Sequence, residues 1–408
     1  MNINLKYGND ILVFNIPESS EILKISEPEF SVSEPEFKST FSELLDSVSP
    51  DYSNIGLVVS DKTRLCDYPQ YLPWVLNVLE KKGVAKIQIT IYIAYGTHPF
   101  QSEEESLKSY GEIFHTYKFV HHDCDDPSIF RNLGITRRGT PVFVRNDILE
   151  SSLIITFGAI SYHYFAGFGG GRKLLFPGLA AKKSIYHNHS LFLNFDEKKL
   201  AEGCQPGNLN ANPVAEDLKD VNDILPQTIS IHGILNSKGK VCMLRLGKSY
   251  DDFVEACNLH DNYFKSKSSQ VFDMVVASSG GYPKDINFIQ AHKSIHHSAA
   301  FVKDGGTLII LTECRDGIGN EAFLPLFNEN NWEKMFDKLS KSYKGNGGTA
   351  LAMKSKTSRI NIFMLTGLDE DTCSVMGAHK TSLPEIKTMI NNHMGSIAVI
   401  ENASMLIR

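Results

Sequence analysis

From Asn54 onward the chain alternates short apolar runs with longer amphipathic stretches, the pattern of strands followed by helices. NIGLVVS (54–60), IQITIYIAY (87–95), YKFVHHD (117–123) and SLIITFGAI (152–160) read as strands. Helices are expected around 73–82, 101–111, 191–202 and 213–220. TISIHGILN (228–236) and KVCMLRLG (240–247) form a strand pair turning at Ser237-Lys238-Gly239, and 251–266 reads as a connecting helix. The series starts again at FDMVVASSG (272–280), followed by helix 287–302, strand 306–313, helix 330–342, strand 360–367, helix 383–393 and strand 396–402. Upstream, 3–16 reads as a hairpin turning at Gly8-Asn9-Asp10. Residues 17–40, with SEPEF at 26–30 and again at 33–37, read as a surface loop. Alternating strands and helices imply an α/β fold of two domains, each with a mostly parallel sheet flanked by helices. The polar run KSKSSQ (266–271) divides them into 1–268 and 269–408.

Composition narrows the class. The 408 residues leave room for roughly two or three domains. A net charge of −6 argues against nucleic acid or an acidic membrane as the main partner. The seven cysteines are scattered and never in a C-x-x-C pair, which reads as reduced thiols in a cytoplasmic protein. No apolar run reaches the roughly 18 residues that a membrane span needs.

Ligands of open parallel sheets sit beyond the carboxyl ends of the strands. Asp61, Arg64, His98 and His163 each follow such an end. The densest signal is the stretch from His163 to His189, HYFAGFGGGRKLLFPGLAAKKSIYHNH. Gly167, Gly169, Gly170 and Gly171 lead into Arg172 and Lys173, and glycines let backbone N–H groups converge on an anion. The loop is not a P-loop, which requires Gly before Lys and Ser or Thr after it; Arg172 and Leu174 stand there. His187 and His189 form an H-x-H pair on what reads as an extended segment, where one of them suffices as a metal ligand. His121, His122 and Cys124 read as a surface turn. Gln290, Lys293 and His297 share one face of the first helix of the second domain, suited to a small anion.

The string HYFAGFGGGRKLLFPG with the following YHNH resembles the nickel-dependent lactate racemase family. SDKTR (60–64), GTH (96–98) and QAHK (290–293) occur in the family's order and approximate spacing, so the resemblance covers nearly the whole chain. It implies an isomerase, a 2-hydroxy acid racemase or epimerase whose cofactor is a nickel pincer nucleotide, a pyridinium mononucleotide with two sulfur arms, tethered to a lysine. Lys173 matches that lysine, with Gly169, Gly170, Gly171 and Arg172 as cofactor-binding neighbours, and His189 matches the nickel ligand. His98 and His163 match the acid/base pair, while Arg64, Gln290 and Lys293 match the residues that hold the substrate carboxylate, supported by Asp61. The active site is then expected in the interdomain cleft. Partners are the small hydroxy acid and, transiently, the enzymes that make the cofactor.

The chemistry suits these residue types. A carbanion beside a carboxylate is poorly stabilised, whereas removing hydride from C2 while a base takes the hydroxyl proton leaves a neutral ketone. Three departures lie near the pocket: Pro99-Phe100 after His98, Ile289 before Gln290, and Leu65-Cys66-Asp67 after Arg64. They make a larger 2-hydroxy acid, malate-like or a sugar acid, the alternative substrate. Readings from other classes are an anion-binding protein without catalysis and a zinc hydrolase using His163, His187 and His189.

Overall fold

A computed structural model describes residues 1–48, 51–329 and 331–408. Two six-stranded sheets organise it. Across the first, the strands run Val241–Gly247, Ile229–Leu235, Leu153–Ala159, Ile55–Ser60, Ile89–Ala94 and Lys118–His121. All pairs are parallel except the first, which is the antiparallel hairpin expected from the sequence. The central strands are apolar without alternation, and all six residues of Ile55–Ser60 are buried, as in a sheet covered by helices on both faces.

Strand order decides where this sheet can open to a ligand. From Ile55–Ser60 the chain steps to Ile89–Ala94 and Lys118–His121 on one side, then returns to Leu153–Ala159 on the other. The direction of winding therefore reverses between Ile55–Ser60 and Leu153–Ala159, which places a crevice at their carboxyl ends.

The second sheet runs His379–Lys380, Asn361–Leu365, Val302–Leu311, Phe272–Ser278, Ile397–Ile400 and Glu21–Leu23, all parallel. Its edge strand comes from the N-terminal region. The hairpin Asn2–Tyr7 and Asp10–Asn15 joins it, burying Ile3, Leu5, Phe14 and Ile16 against Met274, Val276, Ile309 and Val399. Residues 1–23 thus lie with the second sheet, and a single cut at 268 does not separate the two.

Two local readings differ from the structure. The stretch 17–40 is not all loop: it contains Glu21–Leu23 and the start of a helix, Glu34–Ser47. Pro35 falls in the first turn of that helix, where a missing N–H costs nothing, and Phe37, Phe41 and Leu45 follow at intervals of four on its buried face. The two SEPEF copies therefore diverge: Phe37 is 5% exposed, Phe30 60%. The helix expected over 191–202 lies earlier, at Lys182–Ser190, and is followed by the short antiparallel strands Leu193–Asn194 and Lys199–Leu200. The hairpin Phe130–Ile135 with Pro141–Arg145 and the helix Gly347–Thr357 carried no clear signal in the sequence. The first residue of the expected 330–342 helix lies outside the described residues; the helix described is Trp332–Lys341. No helix among the described residues is long and apolar enough to cross a membrane.

Candidate active site at the carboxyl ends of the first sheet

Each strand at the reversal point hands its functional side chain to the crevice through a tight turn. After Ile55–Ser60, the N–H of Arg64 bonds the Asp61 carbonyl (3.1 Å). After Ile89–Ala94, Gly96 takes φ +57°, its N–H bonds the Gly178 carbonyl (2.9 Å), and the N–H of His98 closes on the Tyr95 carbonyl (3.0 Å). After Leu153–Ala159, Ser161–His163 pairs antiparallel with Gly167–Gly169, which sets His163 opposite Gly167 at the hairpin end. Gly170 follows at φ +78°, and a Cβ there would stand 2.2 Å from the Ala159 carbonyl oxygen. Only glycine lets the loop fold back this closely on the strand it left.

One cavity collects the result: Arg64, His98, His163, Gly169, Gly170, Lys173 and His189 all line it. Gly171 and Arg172 do not. Residues 171–174 form a 3-10 turn, in which successive side chains point about 120° apart. While Lys173 enters the cavity, Arg172 is turned to the back of the loop. Arg172 as a whole is 7% exposed, and its guanidinium lies 5.2 Å over the Tyr250 ring and 5.0 Å over Phe253 and donates to the Ala215 carbonyl and the Tyr250 hydroxyl (both 3.1 Å). A Cβ on Gly171 would likewise meet Phe253 and His232. These two residues shape the loop from behind.

Asp61 is 2% exposed and touches the crevice only through others. One oxygen accepts from Nδ1–H of His98 at 2.6 Å; the other accepts from the N–H (2.9 Å) and hydroxyl (2.6 Å) of Thr63. Burial works against its charge, but the His98 hydrogen bond and the His98 and Arg64 charges outweigh it and hold the carboxyl at about 2. With a carboxylate on Nδ1, His98 keeps its lone pair on Nε2. His163 is arranged the other way: its Nδ1 accepts from the Ala166 N–H (3.3 Å), so the neutral ring carries its proton on Nε2. Burial, then Lys173 and Arg64, push its pKa well below the usual range.

Lys173 forms no salt bridge and no side-chain hydrogen bond among the described residues. Burial, then the nearby Arg64, Arg172 and Lys293 charges, push its pKa well below the usual lysine range, which favours the uncharged amine. His189 follows the same logic, at about 3, through burial and then Lys173 and Arg64. Its ring stands edge-on to Phe165 at 5.0 Å.

The second sheet contributes one helix. Phe288–Ala299 starts at Asn287, whose side chain caps the Gln290 N–H (3.0 Å), and projects Gln290 and Lys293. The Lys293 ammonium donates to Gln290 Oε1 (2.8 Å), and its charge acts on both His163 and Lys173, although neither Gln290 nor Lys293 lines the cavity itself. Burial and Arg64 bring Lys293 itself to about 7. His297, expected on this face, is buried, with Nδ1 donating to the Ala403 carbonyl (2.9 Å). Tyr164, between His163 and Phe165, bridges the two halves: its hydroxyl meets Thr349 Oγ1 (2.9 Å) and its ring packs edge-on against His292 and His296. Its place in the run of aromatics around His163 was the only trace of this role in the sequence.

His187 and His189 sit on a helix, not an extended segment, so they point about 200° apart and do not chelate one ion. His187 bonds Thr140 instead (2.9 Å). His121 bonds the Tyr95 hydroxyl and His122 the Ala180 carbonyl, neither as a metal ligand. Among the described residues no three His, Cys, Asp or Glu side chains are grouped to hold a metal, which leaves the zinc hydrolase reading without a ligand set.

The crevice is thus cationic. The basic side chains Arg64 and Lys173 line it, and the Asp61 carboxylate beside it is committed to His98 and Thr63. It suits a small carboxylate flanked by two imidazoles and a lysine amine.

Comparison with known proteins points the same way. The lactate racemase N-terminal domain profile matches residues 7–201 and the lactate racemase C-terminal domain profile residues 267–350. The chain is 28% identical to the lactate racemase of Thermoanaerobacterium thermosaccharolyticum over 339 residues, 80% of this chain and 78% of that one. It is 31% identical to the lactate racemase of Lactiplantibacillus plantarum over 288 residues, 69% of this chain and 65% of that protein. The structure of the lactate racemase apoprotein from T. thermosaccharolyticum matches with a TM-score of 0.88 at 25% identity, covering 100% of this chain and 99% of the other. A protein from Thermotoga maritima shares the fold at a TM-score of 0.70 and 15% identity, over 94% and 99% of the two chains. With its two family domains in order, the chain belongs to the lactate racemase family.

Proposed function

We propose that the protein racemises or epimerises a 2-hydroxy acid at C2, with a nickel pincer nucleotide tethered to Lys173 and His189 as the protein's nickel ligand. The residues present fit such a group. Lys173 offers an amine whose burial favours the uncharged, nucleophilic form and which no carboxylate holds, as a covalent tether needs, and His189 offers a neutral imidazole with a free lone pair. Gly169 and Gly170 leave the wall beside them without side chains. When bound, the group supplies the acceptor that takes hydride from C2 and returns it to either face.

The rest is the work of the chain's own side chains. Arg64 and Lys293 neutralise the substrate carboxylate, and Gln290, whose oxygen is occupied by Lys293, donates through its amide nitrogen. Holding the carboxylate at two points keeps the ketone in place between half-reactions. His98 accepts the hydroxyl proton at Nε2, and Asp61 stabilises the imidazolium that results. His163, protonated on Nε2, donates a hydrogen bond to the substrate oxygen. To act as base toward the opposite enantiomer it gives up the Ala166 contact and takes the other tautomer, its proton moving from Nε2 to Nδ1, which leaves the lone pair on Nε2.

The observation that carries this reading is a Lys173 with no carboxylate partner among the described residues, in one cavity with His98, His163 and His189. The test is intact-mass analysis of protein coexpressed with the cofactor-synthesis enzymes, joined to a screen of 2-hydroxy acids including lactate, malate and sugar acids. The expected result is an adduct on Lys173 and stereochemical inversion of one acid class. Full activity with nickel removed refutes the mechanism.

A further inference from the structure

His189 has a peculiarity: no hydrogen bond holds its ring among the described residues, and Phe165 packs against only one edge. Imidazoles that ligate metals almost always donate their second nitrogen to a partner that fixes the ring. Here the backbone of the Lys182–Ser190 helix must set its position, so what anchors that helix matters.

The anchor is a buried polar hub. Asp217 is fully buried and in no salt bridge among the described residues; the cations nearest in sequence across from it are used elsewhere, Arg137 on Asp220 and Arg138 on Glu216. Its charge is met by three donors: the Thr136 hydroxyl (2.5 Å), the Thr140 hydroxyl (2.7 Å) and the Asn188 amide (2.8 Å). A hydroxyl has one proton. Since Thr140 gives its proton to Asp217, it accepts from Nδ1–H of His187 (2.9 Å). Consecutive residues of the helix, His187 through Thr140 and Asn188 directly, are therefore tied to one carboxylate. The ties come from two elements outside the helix, the 136–140 turn and the helix Pro213–Ile224. Two adjacent anchors fix both the rotation and the height of a nine-residue helix, and the next side chain along is His189.

We infer that the Thr140–Asp217 pair is the positioning element that aims His189 at the group carried by Lys173. This inference rests on the proposed function, because it takes His189 as the nickel ligand. Thr140→Val keeps the shape and deletes the hydroxyl, Thr140→Ser restores it, and His187→Ala cuts the tie from the partly exposed helix side. The readouts are the Lys173 adduct by intact mass and the rate at which nickel leaves the loaded protein to a chelator.

T140V and H187A are expected to keep the adduct but lose nickel about tenfold faster than wild type, the low end of the penalty for disturbing a metal ligand's support because both act through the helix backbone, with T140S within about twofold of wild type. Folded T140V and H187A that hold nickel as wild type does, while H189A sheds it, overturn the positioning role alone. If H189A also retains nickel normally, the ligand assignment falls and the inference with it. Should T140V fail to fold, H187A decides by the same comparison.

Discussion

Asp61 and His98, brought from the ends of adjacent strands, share a 2.6 Å hydrogen bond in which a 2%-exposed carboxylate holds Nδ1 of a partly exposed imidazole. The bond settles the tautomer and leaves Nε2 basic. Asp61→Asn removes that preference and the charge that stabilises the imidazolium. A loss in kcat on the order of 10²–10⁴ is expected, with the KM changed far less. Steady-state kinetics in both directions measure it, and an unaltered kcat removes His98 from the chemistry.

The same carboxyl makes stability pH-dependent. Its folded value of about 2 lies below the ordinary 3.8, so its contribution is complete above about pH 4 and drains away as pH falls toward 2. Acid unfolding followed by circular dichroism should be shallower over that window in D61N than in wild type.

Lys293 titrates near neutrality, lowered from 10.5 to about 7. Below that pH the free protein presents an ammonium to the substrate carboxylate; above it the charge is lost. The kcat/KM for an anionic hydroxy acid should therefore fall as pH rises through about 7, through a rise in KM. In K293R the guanidinium stays charged, and that alkaline limb should vanish even if the maximum is lower.

Gly170 and Gly83 separate two costs of left-handed backbone. Both have positive φ, +78° and +86°, but a Cβ at Gly83 meets nothing within 4 Å, whereas at Gly170 it strikes the Ala159 carbonyl oxygen. G83A should lose about 1 kcal/mol in denaturant unfolding. G170A should lose clearly more, about 3 kcal/mol or beyond, and should no longer form the Lys173 adduct.

Arg172 provides the opposite case. Because it stacks on Tyr250 and Phe253 behind the loop, R172M should still take up the Lys173 adduct, which K173A and K173R should both lose. An R172M protein that folds but cannot be loaded places the guanidinium in the cofactor site after all.

The amino-acid sequence by itself determined the six strands of the first sheet and the four central strands of the second, the helices around most of them, and the glycine-rich turn that ends in Lys173; the edge strands Glu21–Leu23 and His379–Lys380 it did not. These are legible because burial imprints a period on neighbouring residues, and because glycines before a lysine constrain the local backbone. Tertiary structure alone decided which strands lie side by side, and so that the winding reverses beside Asp61 and His163. It sent Lys173 into the cavity and Arg172 behind it, although they are adjacent in the chain. It made one SEPEF the start of a helix and left Phe30 of the other in solvent, and it placed His187 and His189 on opposite sides of a helix. In each case a short segment had two locally acceptable states, and contacts with residues far along the chain supplied the difference in free energy between them.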